Sequence, residues 1–473
     1  MNSKFIFVTG EGWLTIDKPQ LLLSLARLLQ ARGFVVTILK FDSCLNIDVN
    51  NLGEYFVCED GQQVDTEIGV FERHEILTLS KKNYATLGDI FHCVINKERR
   101  GEFGSKSVTV GDDVVAEIKN RIYALANEAN PDFILVDVNG NPGQMDMAPF
   151  MEVIRQIRNE NVNGCYCVHY DSVDVNRLAL NTMAVQGAYP DALFLYTSST
   201  YNQEELAKCF NLPTNKVYFL PSDCNEFELP THLYRNKIDA ELLDALNIDA
   251  PQPNFEQWES ILEKYVQASD STELTIAIIG ASRALIESVY FAGIHKNVNL
   301  QIYTSDVELA DGVIVACYDR ETIDKCMTLN IPTLCIGNAM KCMAEHFASK
   351  VMGIADDVTE GDSMTLGADV CELLTNSKAR SIYDDANSIK ERYQSNFKVK
   401  SEYRQRFEQA GLLCTGQNPQ THSVEVIEIP GSLWFIGTKF NPEYSSTVMR
   451  PSPIFMDFVN HAIIYHNRKN QNG

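Results

Sequence analysis

The turn from Gly10 to Pro19 joins a strand-like run to a helical run and carries Lys18 near its end. Backbone N–H groups at a helix N-terminus attract anions, and Lys18 adds a positive charge at the same place. Asp17 opposes this by putting a carboxylate there, and Pro19 removes one backbone donor. Asp17 as the N-cap and Pro19 in the first turn are favourable locally. The pattern therefore favours a turn that caps itself over one that binds phosphate groups.

Two acidic residues, Glu67 and Asp137, lie at the ends of strand-like runs and have the chemistry of magnesium ligands. Two carboxylates can hold Mg²⁺ together with several waters and phosphate oxygens. An acidic chain also carries many solvated carboxylates at strand ends. Both interpretations stay open at this point.

The 13 cysteines run from Cys44 to Cys414, and their number is odd. They lack the paired spacing of a zinc site, so we expect mostly buried thiols. Cys165 and Cys167 are two apart in a strand-like run and share one face, which favours packing over redox chemistry.

Composition restricts the class of protein. The 473 residues suggest two or three domains, and 45% hydrophobic with 22% charged residues is ordinary for a soluble globular chain. With 40 Lys and Arg against 63 Asp and Glu, the net charge is −23, so nucleic acid and anionic membranes are poor partners. No run approaches the roughly 20 apolar residues of a spanning helix, and the start does not resemble a secretory signal. We expect a cytoplasmic protein.

Short β-branched runs alternate with helical periods through the first 240 residues, and this alternation predicts a parallel sheet covered by helices. The strands expected there are 4–9, 34–40, 133–138, 165–170, 192–196 and 216–220, with helices after the first strand and over 151–158. A stretch rich in Pro and Asn at 247–258 marks a boundary. Beyond it, strands are expected at 274–280, 312–317, 333–337, 423–429 and 434–440, and the polar tail is expected to fray.

From Lys4 to about Ile464 the sequence resembles CTP synthase. The matching stretches are 4–10, 31–48, 53–74, 96–103, 254–265 and 440–447. An E-D-G, then D-x-E-x-G-x-x-E-R, then K-E-R-R-G in this order is specific. The resemblance implies an α/β fold with two domains. A parallel-sheet, P-loop-like amidoligase domain at 1–246 and a linker at 247–272 are followed by a class I glutamine amidotransferase-like α/β domain at 273–467 and a polar tail at 468–473.

The resemblance also implies an activity and its cofactors. The family phosphorylates the uracil O4 of UTP with ATP and displaces that phosphate with ammonia released from glutamine in the second domain. Lys18, Lys40 and Asp42 match its nucleotide-binding positions. Glu67 and Asp137 match its two magnesium ligands, with Asp and Glu exchanged. Mg²⁺ and ATP are the cofactors implied, and each site has to be checked separately.

The implied UTP site has lost its cations. The family's segment K-T-K-P-T-Q-H-S has no counterpart in Asp171–Asn181, where Arg177 is the only cation. A triphosphate needs compensating cations, each charge-assisted contact being worth about 1.5–3 kcal/mol. We therefore expect no UTP binding in the family's manner.

The implied glutaminase triad is degenerate. The family's nucleophilic Cys on a strand-to-helix turn corresponds to Gly337, and its general base His to Asn441. Gly337 has no side chain to attack a carbonyl, and Asn441 cannot take a proton from a thiol, so Glu443 is left with nothing to orient. Cys335 lies in the strand before this turn, and Cys342 lies one helical turn into the next helix. We therefore interpret both as thiols of the core.

Two further features of the family's glutamine site are missing. Ala316–Arg320 lacks the glycine pair of the oxyanion loop, and Met364–Gly367 lacks the arginine that would hold the glutamine α-carboxylate. We expect no glutaminase activity.

Two hypotheses from different classes follow. The first is a non-catalytic paralogue, a pseudoenzyme that binds or regulates in pyrimidine metabolism as a homo-oligomer or as a hetero-oligomer with an active CTP synthase. The second is an ATP-dependent C–N ligase that uses free ammonia. A third, weaker alternative is an emptied amidotransferase cleft that binds some other small molecule. We expect no catalytic residue at the degenerate triad positions. The resemblance implies a nucleotide as the ligand.

Overall fold

The structure is a computed structural model. It describes residues 3–10, 18–46, 55–172, 177–197, 201–221, 224–305, 307–354, 357–431 and 434–472.

The strands, in chain order, are β1 (Lys4–Gly10), β2 (Val36–Asp42), β3 (Tyr55–Val57), β4 (Gln63–Asp65), β5 (Tyr84–Thr86), β6 (Phe133–Asn139), β7 (Cys165–Ser172), β8 (Ala192–Thr197), β9 (Val217–Pro221), β10 (Glu273–Ile279), β11 (Asn299–Tyr303), β12 (Gly312–Val315), β13 (Thr333–Ile336), β14 (Thr359–Leu373), β15 (Ser388–Val399), β16 (Leu413–Gln417), β17 (Val424–Glu428) and β18 (Phe435–Thr438).

The helices are α1 (Lys18–Ala31), α2 (Thr66–Arg73), α3 (Leu87–Arg99), α4 (Val115–Ala129), α5 (Ala148–Glu160), α6 (Arg177–Val185), α7 (Gln203–Cys209), α8 (Leu229–Arg235), α9 (Ile238–Ala245), α10 (Glu256–Ser269), α11 (Arg283–Lys296), α12 (Arg320–Leu329), α13 (Asn338–Met352), α14 (Lys378–Ile382), α15 (Ser401–Ala410) and α16 (Pro453–Asn472). Among the described residues, no helix is both long and apolar enough to span a membrane.

Seven strands form a wholly parallel sheet in the order β5-β2-β6-β1-β7-β8-β9. Its central strands β1, β2 and β6 are buried along almost their whole length, because helices cover both faces. Side chains of α3, α4 and α5 pack with the sheet in one apolar core. The parallel sheet predicted from the alternating runs is confirmed.

The second sheet is mixed. Strands β11, β10, β12, β13 and β18 are parallel neighbours, and β18, β17, β16, β14 and β15 continue the sheet as antiparallel strands. Strands β10, β12, β13 and β18 of the parallel half were predicted, whereas β11 was not. The long pair β14 and β15 was not predicted, because both strands are rich in charged residues and carry no continuous apolar run.

The chain forms two compact units, and the division is not continuous in sequence. The second unit contains residues 260–473 together with 49–69 and 73–75, and the first contains the remainder. The expected domain ranges, 1–246 and 273–467, stay predictions. These units differ from them because the β3–β4 hairpin packs within the second unit, where β3 contacts β15.

Two regions expected to lack regular structure are helical. Helix α10 lies in the stretch predicted as a linker and begins at Glu256 with an apolar face that includes Trp258 and Ile261. Helix α16 continues through Asn472, so the tail predicted to fray extends the helix instead. Lys469 Nζ donates to the Leu309 carbonyl, 3.3 Å away, which ties the last turns to the second unit.

A buried ion pair stabilises the first unit. Asp239 Oδ2 lies 2.6 Å from Arg32 Nη2 and accepts a hydrogen bond of 2.8 Å from Arg32 Nε. Arg32 Nη1 donates to the Pro251 carbonyl at 2.6 Å. Both side chains are less than a tenth exposed, so each depends on the other for its charge compensation.

Replacing Asp239 with alanine should destabilise the first unit by about 3–5 kcal/mol, because it leaves the Arg32 guanidinium buried without a carboxylate. Urea denaturation measures the loss. Glu321→Gln, which removes an exposed partner of Lys325, is the matched control and should change stability by less than about 1 kcal/mol. Equal effects of the two substitutions would contradict this account.

Candidate functional site

The carboxyl ends of β1, β2 and β6 bring the predicted nucleotide-binding residues to one edge of the first sheet. The parallel register places Lys40 opposite Asp137 and Asp42 opposite Asn139, while Gly10 also faces Asn139. Ligands of open parallel sheets bind at this edge, beyond the carboxyl ends of the strands. The structure therefore gathers Lys40, Asp42 and Asp137 where the sequence placed a site.

Lys18 begins helix α1 and is fully buried against this edge. Its Nζ lies 2.6 Å from Asp137 Oδ1, and both side chains are inaccessible to solvent. The same ammonium donates to the Gly10 carbonyl at 2.9 Å and to Asn139 Oδ1 at 3.2 Å. A third hydrogen bond, of 3.4 Å, goes to the Val138 carbonyl, so these three carbonyl oxygens occupy the three N–H donors of the ammonium while Asp137 compensates its charge.

Asn139 extends the network to the next strand. Its Nδ2 donates to Asp42 Oδ1 at 2.8 Å, and the Tyr84 hydroxyl donates to Asp42 Oδ2 at 2.7 Å. Lys40 Nζ lies 3.8 Å from the same carboxylate. Sequence analysis did not identify Asn139 or Tyr84. The spacing of Asn139 two residues after Asp137 on one strand was a usable signal, whereas nothing in the sequence marked Tyr84.

The two predicted magnesium ligands lie in different compact units, so their shared metal site stays a prediction. Glu67 lies in the first turn of α2 and belongs to the second unit, whereas Asp137 belongs to the first. Among the described residues, no three His, Cys, Asp or Glu side chains gather as metal ligands. Because the Asp137 carboxylate faces the Lys18 ammonium, the residues as arranged fit a resident Mg²⁺ poorly, and no chemical step is assigned to one.

Several predicted features fall outside the described residues. Residues 11–17, which include the capping Asp17, are among them, and so are 173–176 and the side chain of Arg177. The predictions of a self-capped turn and of a UTP segment stripped of cations therefore stay predictions.

Gly337, predicted to occupy the nucleophile position of the triad, lies in a turn that favours glycine. Gly337 lies between β13 and α13 with φ +57° and ψ −119°, a conformation that costs a residue with a Cβ atom free energy. Its N–H donates to the Thr438 carbonyl at 2.8 Å, which fixes the turn. A Cβ placed on Gly337 meets no described atom within 4 Å, so the space for a nucleophile remains.

Asn441 and Glu443 form a connected pair. Asn441 Nδ2 donates to Glu443 Oε1 at 2.9 Å, and Asn441 Oδ1 accepts from the Gln394 N–H at 3.1 Å. The prediction that Glu443 has nothing to orient was wrong, because an amide replaces the imidazole as its donor. An amide accepts no proton from a thiol at neutral pH, so Asn441 itself supplies no acid–base chemistry.

Two buried carboxyl groups of the second unit have raised pKa values. Burial raises the pKa of Glu443 to about 7, and the hydrogen bond from Asn441 lowers it only in part. Burial also raises the pKa of Glu391 to about 7, against hydrogen bonds from Ser445 and Tyr383. Near neutral pH each group is therefore close to half protonated.

Neither neighbouring thiol replaces the missing nucleophile. Cys335 lies within β13 and Cys342 within α13, and both side chains are buried, as predicted. Burial raises the pKa of the Cys342 thiol to about 11 and that of Cys335 well above its ordinary value. Thiols in such surroundings are inert because the reactive species is the thiolate.

The two segments that lack the glycine pair and the arginine of the family's glutamine site make structural contacts. In the loop after β12, Asp319 caps helix α12, accepting from the Thr322 N–H at 3.1 Å. Gly367, in the segment that lacks the family's arginine, packs against the hairpin turn, since a Cβ there would lie 2.6 Å from the Gly61 nitrogen. Glu59 of that turn accepts a backbone bond of 3.0 Å from Ala368. The sequence did not predict that the hairpin turn packs against this segment.

Gly337→Cys should fold and present a reactive thiol, because the turn has room for the side chain and costs about 1–3 kcal/mol in backbone strain. Mass spectrometry after iodoacetamide treatment should find position 337 alkylated at least about tenfold faster than Cys335 or Cys342. Ala339→Cys, a fully buried position on the same helix, is the matched control. Equal rates at positions 337 and 339 would contradict the turn geometry.

Glu443→Gln should change how stability depends on pH. The folded-state pKa of about 7 lies above the ordinary value of 4.5, so the folded chain holds a proton that the unfolded chain releases between these values. Stability from this proton is complete below pH 4.5 and is lost as the pH rises through 7. Relative to the unsubstituted chain, the glutamine variant should gain about 3 kcal/mol between pH 4.5 and pH 8.

Urea titrations of both chains across this pH range measure that gain. The exposed substitution Glu321→Gln serves as the control and should show no such trend. A pH-independent difference between Glu443→Gln and the unsubstituted chain would refute the assignment of a protonated Glu443.

Comparison with known proteins places these geometries in a family. The family model for the CTP synthase N-terminus matches residues 4–248, and the model for class-I glutamine amidotransferase matches residues 316–461. These matches confirm the fold class predicted for the two domains. A solved glutaminase domain of Trypanosoma brucei CTPS with bound acivicin is 20% identical, covers 40% of this chain and 94% of its own, and has a TM-score of 0.38.

Full-length relatives extend the likeness over nearly the whole chain. The CTP synthase of Porphyromonas gingivalis is 32% identical over 532 aligned positions, covering 98% of each chain. That of Bacteroides fragilis is 32% identical over 539 positions, covering 98% of this chain and 99% of its own. Both alignments are longer than the 473 residues here, so the relatives carry residues at positions that this chain lacks. By this extent and identity, the chain belongs to the CTP synthase family.

Proposed function

We propose that this chain is a non-catalytic member of the CTP synthase family, a binding or regulatory subunit in pyrimidine nucleotide metabolism that lacks glutaminase activity. The relatives named CTP synthase support the metabolic setting. The state of the two reaction sites supports the absence of chemistry.

The buried pair of Lys18 and Asp137 carries this proposal. A missing thiol alone would still permit an enzyme that uses free ammonia, so the first unit decides between the hypotheses. Moving Lys18 to a phosphate breaks its 2.6 Å contact with the buried Asp137 carboxylate, and breaking a buried ion pair costs about 3–5 kcal/mol. The new charge-assisted contact returns about 1.5–3 kcal/mol. Because the cost of breaking the pair exceeds the gain from the phosphate contact, the Lys18–Asp137 ion pair is favoured over a bound phosphate.

The second unit supports the absence of glutaminase activity independently. Gly337 offers no nucleophile, and the amide of Asn441 stands where a general base is needed. Cys335 and Cys342 are buried thiols with raised pKa values. Ammonia from glutamine is therefore not available to the first unit.

The ammonia-dependent ligase is the second candidate, and one observation favours it. Lys18, Lys40, Asp42 and Asp137 still meet at the edge of the parallel sheet where nucleotides bind in such folds. A Mg²⁺ ion brought with ATP would offer Asp137 a replacement for the Lys18 ammonium. This route needs both ligands to arrive together.

Assembly is the remaining part of the proposal. A subunit without chemistry acts through contact, so we expect it to form homo-oligomers or to join oligomers of an active CTP synthase. Size-exclusion chromatography of the chain alone and mixed with an active relative measures this directly.

Purified chain incubated with ATP, UTP, MgCl₂ and either glutamine or ammonium chloride should form no CTP and no ADP above background, and no glutamate from glutamine. Liquid chromatography quantifies all three products in one assay. The Bacteroides fragilis relative, assayed in parallel, is the positive control.

CTP formation from ammonium chloride would overturn the non-catalytic proposal in favour of the ligase. Loss of that activity in Lys18→Gln would then identify the ammonium as part of its site. Glutamate formation that disappears in Cys335→Ser or Cys342→Ser would show that the triad has been placed wrongly.

A further inference from the structure

A cavity of about 230 Å³ lies in the first unit, where the first turns of α3, α4 and α5 meet. Leu87 and Phe91 of α3, Val115 of α4 and Pro149 of α5 form apolar walls. Leu87 and Val115 are buried, and both belong to the core that these helices share with the parallel sheet. Cavities of about 150 Å³ are large enough for a benzene ring. The walls therefore suit one ring or a short aliphatic group.

Two apolar side chains extend the walls to the mouth of the cavity. Met145 is 91% exposed and Val110 is half exposed, and both line the cavity. The Met145 side chain is unbranched and polarizable, so it can adapt to a ring that enters. A ligand in the cavity would therefore cover apolar surface that is now in contact with solvent.

The mouth also carries an available carboxylate. Asp146 precedes α5 and lines the cavity. It is exposed, and its carboxylate forms no hydrogen bond or ion pair with any residue that the structure describes. The second acidic residue of the lining, Glu152, is paired with Arg155 at 2.6 Å. Among the described residues, no Lys, Arg or His lines the cavity. Asp146 is therefore free to pair with a cation from solution.

The helix N-termini around the cavity oppose a cation only in part. Each N-terminus carries about half an elementary positive charge, or about one and a half for the three helices. The same turns hold Asp89 at α3, Asp112 before α4 and Asp146 before α5. None of these carboxylates forms an ion pair with a described residue. Their full negative charges exceed the partial positive ones, and the net charge of −23 on the chain also attracts cations.

We propose that this cavity binds a small amphipathic cation, composed of one ring or short apolar group and one protonated amine. The apolar part packs on Leu87, Phe91 and Met145, and the ammonium group faces the Asp146 carboxylate. Both parts are needed, because the walls offer no charge and an exposed carboxylate alone holds a cation weakly.

Isothermal titration calorimetry of the full chain with benzylamine at pH 7 tests the site. One molecule should bind per chain. Benzyl alcohol has the same ring without the charge and should bind about threefold more weakly, as expected for the loss of an exposed ion pair. Methylamine has the charge without the ring and should bind at least about tenfold more weakly, because it buries little apolar surface.

Substitutions at the mouth separate the charge from the walls. Asp146→Asn should weaken benzylamine binding about threefold and leave benzyl alcohol binding unchanged, because only the ammonium group faces the carboxylate. Arg155→Gln frees Glu152 from its ion pair and should strengthen benzylamine binding about threefold. Loss of folding cannot raise affinity, so this variant separates binding from stability. Asp249→Asn removes the same charge from an exposed residue of the first unit that does not line the cavity, and it should change neither affinity.

NMR of the chain labelled with ¹³C-methyl methionine locates the ligand. Benzylamine should shift the resonance that is missing from Met145→Leu and leave those of Met340 and Met343, buried in the second unit, unchanged. The proposal is overturned by absence of saturable binding, by an unshifted Met145 resonance or by equal losses in Asp146→Asn and Asp249→Asn. Weaker benzylamine binding in Arg155→Gln would also overturn it. These outcomes do not depend on whether the chain makes CTP.

Discussion

The contact between the Lys18 ammonium and the Asp137 carboxylate is the constraint on which the first unit's chemistry depends. Both groups are inaccessible to solvent, so each contributes to compensating the buried charge of the other. Asn139 joins the pair to Asp42 and thereby to Tyr84, which makes one continuous polar network across three strands. A nucleotide has to replace these contacts as a set, and this is a stricter requirement than filling an open pocket.

The second unit shows the opposite relation between scaffold and chemistry. The turn at Gly337 has φ +57° and ψ −119°, and Asn441 donates a hydrogen bond to Glu443. Glycine adopts this turn at little cost in conformational free energy. A nucleophilic residue with a Cβ atom would be strained there. Gly337 and Asn441 themselves carry neither a thiol nor an imidazole, whatever the geometry of the turn and strands around them.

The hairpin of β3 and β4 links distant parts of the sequence within the second unit. Phe56 packs edge-on against Tyr444 and lies beneath the Arg73 and Arg392 guanidinium groups. Arg73 is buried and paired with Glu287 at 2.7 Å. These contacts give residues near the E-D-G and E-R motifs a structural role in the second unit.

Most of the parallel architecture followed from local patterns, because continuous apolar runs such as Phe133–Asn139 can be buried only between two layers of helices. The sequence alone also shows that Gly337 carries no thiol and Asn441 no imidazole, since this holds in any fold. Only the tertiary structure decided that Lys18 is closed onto Asp137, that Asn441 bonds Glu443 and that the hairpin belongs to the second unit. Such contacts join residues far apart in sequence or depend on side-chain direction, and strand register and burial determine them where local propensity does not.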